Sequence, residues 1–130
     1  MRGEDRQKSW VREFVEFALD RDVDREIDQQ RRILKANPQS ARAHFDLAVL
    51  YYSQKRIEEA IEEYEAAIGC DPSFARAYRK LGEVYVNTGD YEQAGHYALK
   101  AAKLGDRTLL EMFERYPAAS GLVEKDDGEE

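Results

Sequence analysis

Cysteine occurs once in these 130 residues, at Cys70. A single thiol cannot close an internal disulfide, so nothing points to an oxidising compartment, and the cytoplasm is the expected setting. The opening MRGEDRQKSW has neither the apolar run nor the small-residue cleavage site of a secretory signal. Nowhere do apolar residues approach the roughly 18 in a row that a membrane span needs. Histidine is almost as rare. His44 and His96 have no cysteine or further histidine at ligand spacing, so no metal site is expected. An excess of positive charge is missing too: 20 Lys and Arg against 27 acids leave −7, the wrong sign for a nucleic-acid binder. Gly82, Gly89 and Gly95 do not form a phosphate-cradling loop, and no catalytic constellation or cofactor site emerges. An enzyme is not expected.

What the chain does contain is self-similarity. Ala41 to Phe74 aligns with Ala75 to Thr108 at a constant offset of 34 residues, a period of helical solenoids. His44 falls on Tyr78, Leu47 on Leu81, Ala48 on Gly82, Tyr51 on Tyr85 and Ala60 on Ala94. The same step backwards from His44, Tyr51 and Pro72 reaches Trp10, Phe17 and Pro38, which defines a third, divergent copy from Gln7 to Ser40. That copy lacks the small residues: Phe14 stands where Ala48 and Gly82 stand, and Glu26 where Ala60 and Ala94 stand.

Each copy reads as two helices. His44, Leu47, Ala48 and Tyr51 follow i, i+3, i+4, i+7 spacing, and Ile57, Ala60, Ile61, Tyr64, Ala67 and Ile68 resume it after the polar Ser53-Gln54-Lys55-Arg56. Asn87-Thr88-Gly89-Asp90 is the matching break in the last copy, with Gly89 free to take positive φ. Pro38 and Pro72 stop the second helices, and Gly105 is a C-cap candidate. Small residues at facing positions let two backbones approach closely, and since one hairpin cannot bury both its faces, hairpins stack.

These residues resemble the tetratricopeptide repeat (TPR), whose signature is met at all eight places by His44, Leu47, Ala48, Tyr51, Ala60, Tyr64, Ala67 and Pro72. The last copy supplies Tyr78, Leu81, Gly82, Tyr85, Ala94 and Ala101 and departs at Ala98 and Asp106; the first supplies Trp10, Phe17 and Pro38. The resemblance implies an all-α, right-handed TPR solenoid of three antiparallel helix pairs plus a C-terminal capping helix. Its parts would be a lead at 1–6, repeats at 7–40, 41–74 and 75–108, a cap at 109–117 and a disordered acidic tail at 118–130. The tail carries five acids and one lysine, and its Asp126-Asp127-Gly128-Glu129-Glu130 end is within flexible reach of the last copy's basic residues.

The resemblance also implies protein or peptide binding in a concave groove lined by the first helix of each pair, as in an adaptor, scaffold or chaperone-like module. On the first helix of the middle copy the groove side holds Arg42, Phe45, Val49 and Tyr52. Val49 and Tyr52 could equally pack between adjacent first helices, whereas Phe45 is assigned to the open groove as an apolar anchor. Arg76, Arg79 and Lys80 on the last copy, with Lys8, Arg12 and Arg42, border the same side, so an acidic or C-terminal-carboxylate peptide is the natural ligand. The subclass that clamps acidic chaperone tails is a poor match. Of its five clamp places, here Val11, Val15, Asp46, Arg76 and Lys80, only the last two are basic. The alternative function is structural: homodimers formed through the divergent first copy.

Three further features read as structure. His44 fills a core slot, and Cys70 sits at an apolar place near the end of a second helix. The run Glu58, Glu59, Glu62, Glu63 and Glu65 reads as a solvated helix exterior.

Overall fold

A computed structural model describes residues 2–116, with side chains at 11–15 and 21–116. The lead's Met1 and the tail at 118–130 lie outside the described residues. Six helices run in order among the described residues: α1 (Arg2–Ala36), α2 (Ala41–Ser53), α3 (Ile57–Cys70), α4 (Ala75–Thr88), α5 (Tyr91–Lys103) and α6 (Thr108–Arg115). No strand occurs among the described residues, and no helix among them is long and apolar enough to cross a membrane.

The last two copies are the expected hairpins, α2 with α3 and α4 with α5. Their turns use one device twice. Lys55 (φ 62°) and Gly89 (φ 86°) take the left-handed conformation, and the next N–H donates back across the helix end, Arg56 to Tyr51 and Asp90 to Tyr85, each at 2.9 Å. Gly105 (φ 104°) repeats it after α5, with Asp106 N–H donating to the Ala101 carbonyl at 2.9 Å. Two helix starts, those of α2 and α5, are capped by side chains: Ser40 accepts from the Ala43 N–H and Asp90 from the Gln93 N–H. At the crossings Ala48, Ala60 and Ala94 are wholly buried and Gly82 is buried beside them.

The first copy departs from expectation. Residues 7–40 do not fold as a helix pair, nor are residues 2–6 a separate lead; α1 runs unbroken through both. The chemistry at the missing hairpin explains this. Closing it would press the Phe14 ring against the Glu26 carboxylate, where the other copies bring two small residues together. The would-be turn, Leu19-Asp20-Arg21-Asp22, has no glycine, and without a close helix crossing to offset the left-handed residue that Lys55 supplies in the middle copy, propagation wins. Among the described side chains of α1, those that join the core lie in its C-terminal half: Ile27, with Val23 and Leu34 packed against the same cluster. Polar ties reinforce the joint: Arg31 Nη2 donates to the Tyr51 hydroxyl at 2.6 Å, and Gln54 Nε2 donates to Asp24 at 2.9 Å.

At the other end α6 lies on α5 and α4, burying Leu109 and Phe113 against Ala94 and Ala98. It covers the open end of the stack as the cap was expected to do.

Candidate functional site

A helix in a solenoid touches both its hairpin partner and the next repeat, so its buried arc is wider than one stripe. On α2 that arc takes in Phe45, which is 3% exposed. Its ring stacks on Phe74 at 5.0 Å and meets Tyr64 edge-on at 5.7 Å. The assignment of Phe45 as an exposed anchor is therefore corrected: it is core, closing the gap between α2, α3 and the start of α4. Tyr52 is half-buried, and its hydroxyl accepts from Asn87 on α4, so it packs between first helices. Val49 stays 40% exposed on the open side.

Between α1, α2 and the first turn of α4 lies a cleft of about 450 Å³. Arg42, Val49 and Arg76 line it with Asp46, Glu26, Gln29, Gln30 and Leu50, and Phe45 forms its floor. The three other candidates, Tyr52, Arg79 and Lys80, do not line it.

The basic side chains are mostly neutralised by near neighbours, which corrects the expectation of a continuous electropositive groove. Arg42 Nε lies 3.1 Å from Asp46. Arg79 donates to Asp106 at 2.7 Å and to Glu83 at 2.8 Å, and Lys80 Nζ is 3.4 Å from Glu83. Burial alone would lower the Arg79 pKa, but the hydrogen bonds to Asp106 and Glu83 outweigh it and raise the value. Arg76 is different. It is exposed, its guanidinium lies 5.4 Å from the Phe45 ring centre, and it makes no ion pair among the described residues. Lys8 falls among residues whose side chains are not described.

The Arg79–Asp106 pair fastens α4 to the loop before α6. Burial pushes the Asp106 carboxyl up, but hydrogen bonds from Thr108 and Arg79 pull it below its usual value of 3.8. A depressed folded value stabilises the fold above the unfolded pKa, and that contribution is lost as pH falls through the folded one. Asp106→Asn should thus lower stability by a constant amount near neutral pH. The gap between variant and parent should shrink below about pH 4, as urea titrations across that range would show.

Other sequence expectations resolve locally. His44 is half-buried with Nδ1 2.6 Å from Glu63 and Nε2 3.0 Å from the Pro38 carbonyl, so it ties the α1–α2 loop to α3 as well as packing. The acidic run on α3 is not uniformly solvated: Glu63 meets His44 and Glu59 pairs with Arg56 at 2.6 Å, while Glu58, Glu62 and Glu65 are exposed. Cys70 is half-buried rather than enclosed. No group of His, Cys, Asp and Glu among the described residues could hold a metal ion.

Two family models match along these hairpins, one described as TPR repeat over residues 50–89 and one as tetratricopeptide repeat over residues 75–104. The chain belongs to the tetratricopeptide-repeat family. Among curated relatives, a peroxisomal targeting signal receptor of Candida glabrata is 33% identical over 90 residues, which are 69% of this chain and 15% of that protein. The small glutamine-rich tetratricopeptide repeat-containing protein 2 of Saccharomyces cerevisiae is 28% identical over 106 residues, 81% of this chain and 31% of that one. The chain thus spans under a third of the length of these relatives. Among solved structures, MamA superposes with a TM-score of 0.58 at 32% identity, covering 69% of this chain and 50% of MamA. The TPR2B domain of yeast Sti1, solved as a pHsp70 complex, gives 0.62 over 86% of this chain and 83% of its own, and at 21% identity shows the shared fold alone.

Proposed function

We propose that this TPR chain is a protein-interaction module, of adaptor, scaffold or chaperone-like type, that holds a peptide or protein segment in the cleft between α1, α2 and α4. The observation that carries the reading is Arg76: an exposed cation without an ion pair among the described residues, beside exposed Val49 in a cleft whose other charged side chains are Arg42, paired with Asp46, and the carboxylate of Glu26. Among relatives, one bears the name of a targeting signal receptor, and a solenoid of the same fold was solved in complex with pHsp70, which supports protein binding as the broad role. The ligand in this reading offers one carboxylate to Arg76 and one apolar side chain to Val49. A cytoplasmic setting belongs to the same proposal and rests on the lone thiol of Cys70.

Panning a random-peptide display library against the full chain tests this. Enriched peptides should place an acidic residue next to an apolar one. Arg76→Glu should weaken them about tenfold or more, mainly through slower association, and should flatten the salt dependence. Peptides that bind the folded Arg76→Glu protein as well as the parent would place the site elsewhere.

A further inference from the structure

Residues 11–15 of α1 present an apolar stripe that stands largely open to solvent. Residues 11–15 are all exposed, with Val11 at 49%, Phe14 at 59% and Val15 at 46%. These residues recur at i, i+3, i+4, the spacing of one helix face. On a continuous helix the stripe lies opposite Ile27, the side chain that seats α1 on the core, so it faces away from that core. In the other copies the register-equivalent segment folds back into its hairpin; here the unbroken α1 carries it away.

We infer that this stripe pairs with the same stripe of a second copy, two α1 helices lying antiparallel about a two-fold axis near Phe14. Charge along the helix sets the direction. Residues 2–12 carry four bases and two acids, a net +2, whereas residues 13–26 carry six acids and two bases, a net −4. Antiparallel pairing lays the basic end of each helix on the acidic stretch of the other; parallel pairing would stack like on like. The contact is self-complementary, as a two-fold interface must be. It deepens the homodimer alternative raised by the sequence and is independent of the cleft, since a monomer that still bound peptides would overturn the pairing and leave the cleft reading standing.

Light scattering on the full chain, from about 10 μM to about 1 mM because so short an interface is at the weak end, should show the mass rising from 15.1 kDa toward twice that value. Phe14→Asp, at an exposed position, should keep its helical circular dichroism and weaken the dimer at least about tenfold. Cysteine cross-linking on a Cys70→Ser background fixes the geometry. Phe14→Cys, beside the axis, should oxidise to a covalent dimer. Gln7→Cys should not, because its mate lies roughly 20 Å away along the pair at 1.5 Å per residue. A monomer at every concentration, an unweakened Phe14→Asp dimer, or efficient cross-linking at both positions would each overturn the inference.

Discussion

Phe45→Ala is expected to lower the stability of the fold by about 3–5 kcal/mol, the range for removing a buried ring from a core. Phe45 is 3% exposed and touches rings from both sides, Tyr64 on α3 and Phe74 at the start of α4. The loss would therefore loosen two joints, the α2–α3 hairpin and its stacking on the next repeat. Against a total of roughly 5–15 kcal/mol for a domain, it is a large fraction. Arg76 would also lose the ring beneath its guanidinium, worth about 0.5–1 kcal/mol at an exposed site. Urea denaturation followed by circular dichroism measures the effect. Were Phe45 an exposed anchor, the shift would stay within about 0.5 kcal/mol and only binding would change, so a small shift would contradict the packing described here.

The same residue shows where the sequence was legible and where it was not. The hairpin positions of the last two copies follow from spacing alone, because Ala48, Ala60, Gly82 and Ala94 mark the crossings and Gly89 and Gly105 mark helix ends. A helical wheel drawn for one packing neighbour puts Phe45 on the open side, because it underestimates the arc that two neighbours bury. The missing signal was Phe74, an aromatic residue at the very end of a linker, poised to turn back onto the preceding helix. The first copy departs from the pattern for another reason. Trp10, Phe17 and Pro38 kept the period, but the period records residues suited to a hairpin, and the closure itself depends on Phe14 and Glu26. A count of basic residues alone overstates the groove's charge. Asp46 and Glu83 stand four residues after Arg42 and Arg79, the spacing at which helical neighbours pair, and they neutralise them. Arg76 escapes because Lys80 holds the place four residues on.

Gly82→Leu is the second change expected to cost heavily, on the order of 1–3 kcal/mol or more from overpacking. Even the first atom of a new side chain there would lie 2.5 Å from Leu109 Cδ2 and 3.4 Å from both the Ala94 carbonyl oxygen and Tyr97 Cβ. The contacts differ in kind. The tip of Leu109 can swing aside by changing rotamer, but the Ala94 backbone is fixed in α5, so a leucine must lift α6 or part α4 from α5. Gly82→Ala should be far milder, since Leu109 alone has to move and alanine gains up to about 1 kcal/mol of helix propensity over glycine. A double-mutant cycle locates the strain. With Leu109→Ala in the background, Gly82→Leu should cost less than it does in the parent, giving a favourable coupling of about 0.5–3 kcal/mol. Each protein is measured by chemical denaturation. Additive costs would mean that the strain falls on the α4–α5 crossing rather than on the cap, and a Gly82→Leu protein as stable as the parent would remove close backbone approach as the reason for glycine at this place.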